Sequence, residues 1–370
     1  MTVRPAGRKL RGALVGYGFI GARGHVPAYR RRPDVELVAV ADLCPARLAL
    51  AGAELPGAAL YPSAEALLAG ERQLDFLDVA TPPCDHTAIA HAALDRGLHV
   101  LCEKPLTTTL EEAAALLAHA ARARRVLFPC HNYKHAPVVA AIREIIASGR
   151  IGRVRSVTLE TFRNTHAKGV PEWNTDWRRH ARWSGGGIAM DHGSHTFYLT
   201  FEWMGAWPTA VTAKMSTLEP QRWDTEDTFS AVLTFPGGAA HAHLTWTAGV
   251  RKVIYTVQGE RGAVTVDDDE LQLAVMRATS GPDVAQGAVT WDVERRTIAS
   301  DWMDASHTTW FNAMFDRFLG SIERGEWAGP EARDAYRCVE IITEAYRSSA
   351  DGCRERPLAG PPRAAGEAGA

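Results

Sequence analysis

Two sets of side chains in this sequence are of the types that move protons and stabilise charge on oxygen. Lys104 stands in Glu103-Lys104-Pro105, directly after an apolar run, and Asp191 and His195 stand four residues apart. Side chains at that spacing share one face of a helix. An ammonium group can stabilise negative charge on a reacting oxygen, and an imidazole, with an ordinary pKa of about 6.5, can exchange a proton near neutral pH. The carboxylate is expected to raise that pKa.

Each set also has an explanation without chemistry. An isolated Glu-Lys pair is typically a surface salt bridge, although Pro105 fixes the turn after Lys104. Asp191 and His195 can be two satisfied polar residues of an ordinary helix. His192 with His195 can suggest zinc, but further ligands are not evident in the sequence, so no metal site is predicted.

A glycine-rich loop, Gly16-Tyr17-Gly18-Phe19-Ile20-Gly21, follows the short apolar segment Ala13-Leu14-Val15. In a strand-to-helix loop of this spacing, the first glycine permits the tight turn and the second lets the backbone approach a pyrophosphate. The third lets helix and strand pack closely. Free N–H groups at the start of the following helix bind phosphate. The loop therefore predicts a dinucleotide site.

Two residues bear on which dinucleotide binds. Asp42 ends the second apolar segment, about 20 residues beyond the last glycine, where a carboxylate accepts hydrogen bonds from ribose hydroxyls and repels a 2′-phosphate. Arg47 favours the opposite choice more weakly, because it lies several residues into the next predicted helix. NAD is therefore favoured over NADP. Thr81 and Pro82 end another strand at the same edge and are predicted to line the path of the nicotinamide ribose.

The bulk composition is that of a globular protein and excludes several classes of partner. The chain has 370 residues, 46% hydrophobic and 23% charged, with a formal net charge of −2. That balance indicates neither nucleic acid nor an anionic membrane as a partner, and no apolar stretch approaches the length of a membrane span. Six cysteines are scattered without CxxC spacing, which favours reduced thiols in the cytoplasm.

The order of predicted elements gives the fold class. Strands alternate with helices up to residue 130, which predicts a parallel, doubly wound sheet. Strand-like alternation dominates afterwards, with helices at residues 308–324 and 331–350. The predicted fold is α/β, with an N-terminal Rossmann dinucleotide-binding domain (10–130) and a C-terminal α+β domain (131–350) built on a large open, mostly antiparallel sheet. Residues 1–9 and 354–370 are predicted to be disordered.

The chain resembles the Gfo/Idh/MocA oxidoreductase family, which includes glucose–fructose oxidoreductase and inositol dehydrogenases, over roughly residues 10–349. The segments that carry the resemblance are Val15 to Gly21, Ala80-Thr81-Pro82-Pro83-Cys84-Asp85-His86, Cys102-Glu103-Lys104-Pro105, Gly149-Arg150-Ile151-Gly152, and Gly186-Gly187 with Asp191 and His195. One departure is Asn132-Tyr133-Lys134-His135, where the family often has an Asn-x-Arg-like sequence, so the floor of the substrate pocket is expected to differ.

The resemblance implies roles for individual residues. Lys104 contacts the reacting oxygen, His195 is the acid/base, and Asp191 binds substrate. The predicted cofactor-binding residues are Gly16, Tyr17, Gly18, Phe19, Ile20, Gly21, Asp42, Thr81, Pro82, His86, Glu103, Lys104 and Asn132. The predicted substrate-binding residues are Lys104, Tyr133, Trp177, Arg178, Asp191, His192 and His195. The family also implies a homo-oligomer, here a homodimer or homotetramer.

The leading hypothesis is an NAD(H)-dependent oxidoreductase acting on a secondary alcohol or ketone of a sugar, nucleotide-sugar or cyclitol. Seven residues of the segment 164–183 can stack on and hydrogen-bond such a molecule, and about half of them are expected to pack between domains instead: Trp173, Trp177, Arg178, Arg179, His180, Arg182 and Trp183. Two alternatives remain. One is a redox-neutral lyase or glycoside-cleaving enzyme with recycled NAD, and the other is a non-catalytic nucleotide-binding regulator.

Overall fold

The computed structural model describes residues 8–278, 289–299 and 307–361. Its first sheet has the strand order β3-β2-β1-β4-β5-β6, and every pair in it is parallel. The strands are β1 (Leu10–Val15), β2 (Val35–Ala41), β3 (Ala59–Tyr61), β4 (Phe76–Val79), β5 (His99–Cys102) and β6 (Leu127–Pro129). This is the doubly wound order of a Rossmann fold, as predicted, and ligands bind such sheets at the carboxyl ends of the strands.

Five α-helices connect these strands: α1 (Val26–Arg30), α2 (Pro45–Glu54), α3 (Ala64–Gly70), α4 (Pro83–Asp95) and α5 (Leu110–Ala123). Gly21–His25 forms a π-helix directly before α1. A π-turn adds a residue to the helical turn and often marks a functional site. Here it directs the His25 side chain into the protein interior, where it is fully buried.

The second sheet is mixed and mostly antiparallel, with the order β14-β13-β12-β11-β7-β10-β9-β8-β15. Its one parallel pair among the described strands is β7 with β10. In chain order, the elements of this part are α6 (Pro137–Ala147), β7 (Val154–Phe162), α7 (Ala181–Ser184), α8 (Ile188–Met204), β8 (Ala210–Ser216), β9 (Thr228–Phe235), β10 (Gly238–Thr245), β11 (Lys252–Gly259), β12 (Gly262–Asp267), β13 (Glu270–Ala278), β14 (Val289–Thr297), α9 (Thr308–Arg324), α10 (Pro330–Ala350) and β15 (Arg356–Pro357).

Apolar and polar residues alternate along the strands of this second sheet, and most of the apolar residues lie on one face, which is buried. Inward-facing residues of β7 and β11, such as Leu159 and Val257, pack with α6, α8 and α10 in a single core. Residues on the opposite face, such as Val232, have no helix of this chain over them in the part that the structure describes. One face of the sheet therefore carries the core, as expected for an antiparallel sheet.

The two C-terminal helices hold the two sheets together. Phe311 and Phe318 of α9 pack in the same core as Phe76 and Phe128 of the first sheet. In α10, Val339 belongs to the core of the first sheet, while residues two and three positions further on belong to that of the second. The helices of the C-terminal half thus fix the edge of the first sheet relative to α8.

The predicted disorder of residues 354–370 is wrong for its first part. Arg356–Pro357 pairs with β8, and Leu358 is buried, because the chain leaving α10 completes the open edge of the second sheet. Residues 1–7 and 362–370 lie outside the described residues. Within those described, no helix is both long enough and apolar enough to cross a bilayer.

Candidate active site

A cavity of about 800 Å³ lies at the carboxyl edge of the first sheet, between that edge, the segment 163–184 and α8. This volume is in the range of small-molecule and cofactor sites. Of the residues predicted from sequence, those that line it are Gly16, Gly18, Phe19, Ile20, Asp42, Thr81, Pro82, Glu103, Lys104, Asn132, Tyr133, Trp177, Arg178, Asp191, His192 and His195. Tertiary structure therefore brings segments up to about half the chain apart into one site.

The glycine loop has the shape of a dinucleotide cradle. Gly16 has a φ of +97°, and a Cβ there would lie 2.6 Å from the Ala80 carbonyl oxygen. A Cβ on Gly18 would meet nothing within 4 Å, so the space above that residue is open to a ligand. At Gly21 a Cβ would lie 2.4 Å from the Gly16 carbonyl oxygen. Each glycine thus meets the requirement that its position in the motif predicts.

Tyr17 differs from its prediction, because its side chain does not face the cavity. The side chain is fully buried, and its Oη donates to Glu54 at 2.7 Å. Its backbone N–H donates to Asp42 Oδ2 at 2.6 Å. Tyr17 therefore contributes to the site by orienting Asp42, through its main chain.

Asp42 is held in a fixed orientation at the cavity wall. While Oδ2 accepts the Tyr17 N–H, Oδ1 accepts the N–H of Cys44 at 2.7 Å. Each carboxylate oxygen retains a further lone pair for a ligand hydroxyl. The neighbouring Arg47 is committed elsewhere, because its Nε donates to the Tyr17 carbonyl oxygen at 2.8 Å and its Nη1 lies 3.5 Å from Glu172.

Thr81 and His86 occupy different sides of the turn after β4. Thr81 lines the cavity, and its buried Oγ1 has no hydrogen-bond partner among the described residues. This hydroxyl can therefore hydrogen-bond to a ligand. His86 lies behind this wall, and its ring nitrogens are 2.9 and 3.0 Å from the carbonyl oxygens of Pro105 and Thr81. Burial lowers the pKa of His86. His86 was predicted to contact the cofactor, but it does not line the cavity. It instead links the turn after β4, at Thr81, to the turn after β5, at Pro105.

A buried ion network that the sequence analysis missed lies below Lys104. His25 Nδ1 donates to Asp78 at 2.6 Å, and its Nε2 lies 3.1 Å from Glu103. Burial by itself lowers the pKa of His25, but the charges and hydrogen bonds of the two carboxylates outweigh it and raise that pKa to about 10. Glu103 also accepts the backbone N–H of Lys104 at 3.1 Å. The protonated imidazole therefore holds the Glu103 carboxylate in place, and that carboxylate holds the backbone of Lys104 through its N–H.

This network predicts a loss of stability in alkali. The folded-state pKa of His25 exceeds the unfolded value of about 6.5, so its contribution is complete below pH 6.5 and is lost as pH rises towards about 10. The free energy of unfolding should fall by a few kcal/mol over that window, measured by urea denaturation at a series of pH values. His25→Gln should lose less over the same window, whereas His91→Gln on α4 should keep the full loss. An equal alkaline loss in His25→Gln would contradict the assignment.

The same network contains side chains of the types that bind metal ions. In the described part of the chain, His25, Glu103 and Cys130 form the one cluster with metal-site geometry. Both nitrogens of the protonated His25 donate to carboxylates, so neither has a lone pair for a metal. Burial also raises the pKa of the Cys130 thiol well above its ordinary value. In this structure the cluster therefore holds a proton on His25 between the two carboxylates.

Lys104 and Asp191 form an ion pair at the centre of the cavity. Lys104 Nζ donates to the Asp191 carbonyl oxygen at 2.6 Å and lies 3.3 Å from its Oδ1. The same Oδ1 accepts from Arg178 Nε at 3.0 Å. Burial opposes ionisation of Asp191, but Lys104 and Arg178 hold the pKa of that carboxyl well below its ordinary value. The carboxylate thus aims the ammonium group into the cavity.

Asp191 and His195 share one face of α8, as predicted, but the expected effect of the carboxylate on the pKa of His195 is wrong. Burial, followed by the charge of Lys104, lowers the pKa of His195 well below its ordinary value. The partner of its Nδ1 is Tyr198 Oη, at 2.6 Å. Tyr198 Oη also accepts the backbone N–H of Tyr133 at 3.2 Å. With Nδ1 engaged, Nε2 is the nitrogen that can reach a ligand.

The glycines before α8 serve the helix and not a ligand. A Cβ on Gly187 would lie 1.8 Å from the Glu226 carbonyl oxygen, so only glycine fits there. The Glu226 carboxylate accepts the N–H groups of Gly187 and Ala189, both at 2.9 Å. Glu226 therefore caps the first turn of α8, where a negative charge also interacts favourably with the helix dipole. Because Asp191 lies in that first turn, the cap holds the position of Asp191 relative to the cavity.

The seven residues singled out in the segment 164–183 differ in their access to the cavity, and Arg182 is exposed to solvent. Trp173, Trp177, Arg178 and Trp183 line the cavity, whereas Arg179, His180 and Arg182 do not.

Lys134, where the sequence departs from the family pattern, also points away from the cavity and pairs with Glu331 at 2.7 Å. That departure anchors the turn of Asn132 and Tyr133 to α10 instead of altering the cavity floor. Arg163, Trp246, Arg251 and His307 line the cavity and were missed by the sequence analysis.

Comparisons with known proteins match this arrangement over most of the chain. Residues 10–131 match the model of an oxidoreductase family with a NAD-binding Rossmann fold, and residues 139–265 match the GFO/IDH/MocA C-terminal domain. The D-apiose dehydrogenase of Paraburkholderia graminis is 35% identical over 145 residues, which are 39% of this chain and 38% of that protein.

Two further similarities extend over nearly the full length. D-xylose 1-dehydrogenase (NADP(+)) 2 of Haloferax volcanii is 27% identical over 340 residues, covering 92% of this chain and 97% of that protein. The crystal structure of GenD2 from gentamicin A biosynthesis in complex with NAD has a TM-score of 0.77 and 27% identity, covering 96% of this chain and 99% of that one.

Proposed function

This chain belongs to the Gfo/Idh/MocA oxidoreductase family, and we propose that it transfers hydride between NAD and a secondary alcohol or ketone of a sugar, nucleotide-sugar or cyclitol. The observation that carries the proposal is that Lys104 and His195 line the same cavity as the dinucleotide cradle. A charged hydrogen-bond donor, a proton acceptor and a cofactor site in one cavity are the parts that this reaction needs.

NAD fits the residues at the cradle end. Gly18 leaves open space for a pyrophosphate, Thr81 offers a buried hydroxyl, and Asp42 offers oriented carboxylate oxygens for ribose hydroxyls. When bound, NAD supplies the acceptor or donor of the hydride. The NADP(+) in the name of the Haloferax relative does not carry over to this chain, because Asp42 would repel a 2′-phosphate and Arg47 is occupied by Tyr17 and Glu172.

Asp42→Ser should therefore shift cofactor preference towards NADP. Removing the carboxylate removes both the ribose acceptor and the repulsion of the 2′-phosphate, so the ratio of kcat/KM for NAD over NADP should fall about tenfold or more. Steady-state kinetics with each cofactor measures it, and Asp95→Ser, an exposed substitution at the end of α4, serves as the matched control. An unchanged ratio would remove Asp42 from the cofactor assignment.

In alcohol oxidation, Lys104 would donate to the substrate oxygen and His195 would take the hydroxyl proton at Nε2. The lowered pKa of His195 supports the role of acceptor, because its imidazole is neutral at physiological pH. Asp191, ionised and hydrogen-bonded to Lys104 and Arg178, holds both cations towards the reacting oxygen. In ketone reduction, the same proton returns from His195 Nε2 to the oxygen.

The first experiment is near-ultraviolet absorbance of the protein mixed with NAD and a panel of inositols, aldoses and methyl glycosides. NADH that appears with one substrate class, and far more slowly in Lys104→Met, supports the dehydrogenase. Equal NADH in the variant would overturn the site assignment. No NADH with any alcohol, but cleavage products in the same wells, would favour the redox-neutral lyase.

Two coarser properties follow as proposals. The uncovered face of the second sheet bears exposed apolar residues on neighbouring strands, including Met276, Trp291 and Val293, which supports a homodimer or homotetramer formed through that face. All six cysteines are unpaired thiols, which supports a cytoplasmic location.

A further inference from the structure

The part of the cavity around Lys104, Asp191 and His195, here called its substrate end, carries more positive than negative charge. Lys104, Arg163 and Arg178 all line it. Among the described lining residues at this end, Asp191 supplies the balancing carboxylate, and its Oδ1 is shared between Lys104 and Arg178. The other nearby carboxylate, Glu103, is paired with the protonated His25. Asp191 thus pairs with Lys104 and Arg178 and forms no ion pair with Arg163.

The guanidinium of Arg163 contacts neutral groups: its Nη1 donates to two main-chain carbonyl oxygens, and the Tyr133 hydroxyl is a further hydrogen-bond partner. The two carbonyl oxygens are those of Phe162, at 2.8 Å, and Lys252, at 3.2 Å. No carboxylate of the described chain forms an ion pair with Arg163. The carbonyl contacts fix the guanidinium at the end of β7 and leave its charge uncompensated.

A second arginine stands beside Arg163 because of sheet register. β7 and β11 pair antiparallel with Phe162 opposite Lys252, so Arg163, one residue past the end of β7, lies next to Arg251, one residue before β11. Both line the cavity. After burial, the charge of Arg163 is the main influence that lowers the pKa of Arg251. Two guanidinium groups from different strands therefore face one space.

The positive charge of Arg163 also acts on His192 of α8. Burial and then the charges of Arg163 and Lys104 lower the pKa of His192 to about 3. A cavity wall of this kind attracts an anion and repels a cation.

Neither the cofactor nor the reacting oxygen accounts for the two arginines. The pyrophosphate site is expected at the glycine loop after β1, where the backbone and the helix start supply the donors. The reacting oxygen has Lys104, which stands at the end of β5 in the first sheet. Arg163 and Arg251 instead flank the paired ends of β7 and β11 in the second sheet.

We propose that the substrate is an anionic sugar or cyclitol whose acidic group is bound at Arg163, beside Arg251, while its hydroxyl carbon faces Lys104 and His195. Guanidinium groups bind carboxylate and phosphate oxygens in forked hydrogen bonds. The inference rests on the proposed dehydrogenase function and narrows its substrate class.

The test is isothermal titration calorimetry of the NADH-loaded full-length protein with matched sugars. D-glucose and D-galactose are the neutral arm, D-glucuronate and D-galacturonate are the carboxylate arm, and D-glucose 6-phosphate and D-galactose 6-phosphate are the phosphate arm. We expect at least one anionic member to bind about tenfold or more tightly than its neutral partner, and the better arm identifies the acidic group. Arg163→Gln should reduce that preference to within about twofold.

Arg155→Gln is the matched control, because Arg155 lies on the same strand, is solvent-exposed and pairs with Glu260. It should keep the full preference. NADH affinity, measured in the same titrations, shows that each variant is folded. If no anionic sugar binds more tightly than its neutral partner, or if Arg163→Gln keeps the preference, the inference is overturned. NADH production from neutral alcohols would then leave the dehydrogenase proposal standing, since turnover is a separate readout.

Discussion

Lys104→Met should reduce kcat/KM by about 10²- to 10³-fold and leave NADH binding within a few fold of the native value. The ammonium group is a charged hydrogen-bond donor that lines the cavity together with His195, and removal of one such donor to a reacting oxygen costs a factor of that size. Because the effect arises where charge develops on oxygen, kcat should fall more than KM rises.

Steady-state kinetics with the substrate found in the panel, and fluorescence titration with NADH, measure the two quantities. Lys252→Met is the matched control, because Lys252 is a half-exposed strand lysine whose ammonium group pairs with Asp267. It should retain native rates. A Lys104→Met protein with rates near native would remove this lysine from the mechanism.

His195→Gln should reduce kcat/KM by about 10²- to 10⁴-fold, the range for loss of a general acid or base. Glutamine keeps a polar group of similar size but cannot take the proton. Tyr198→Phe removes the hydroxyl that contacts Nδ1 and accepts the Tyr133 N–H but leaves the imidazole in place, so a smaller loss, of about tenfold, is expected. Thermal denaturation of both variants separates loss of function from loss of folding, and a fully active His195→Gln protein would contradict the proton-acceptor role.

The pH profile of the native protein tests the same histidine independently. The base form of His195 is needed for alcohol oxidation, and protonation removes it. Because its pKa lies well below the ordinary value, kcat/KM for oxidation should not fall near pH 6.5 as the pH is lowered, but only at more acidic pH. A decline centred near pH 6.5 would show that the imidazole titrates as an unburied histidine does.

Local spacing was enough to predict several parts of the site. The three glycines, Asp42 and the shared face of Asp191 and His195 were predicted because each depends on a short stretch of chain, whose geometry is set by φ freedom or by helical periodicity. Tyr198 lies three residues after His195 on the same helix, so helical spacing was also a signal for this missed partner. Tyr17 and His86 were misplaced, because a motif fixes the backbone but not the direction in which each side chain points.

The sequence by itself was enough to predict the Rossmann domain, the glycine loop of the cofactor cradle and the placing of Lys104 and His195 in one site, since these follow from alternating apolar runs and short motifs. Only the tertiary structure decided the electrostatics. His25 meets Asp78 from 53 residues away, and Arg163 meets Arg251 through the register of two strands. Burial then sets which partner carries the charge, because the cost of removing an ion from water depends on neighbours that no local pattern specifies.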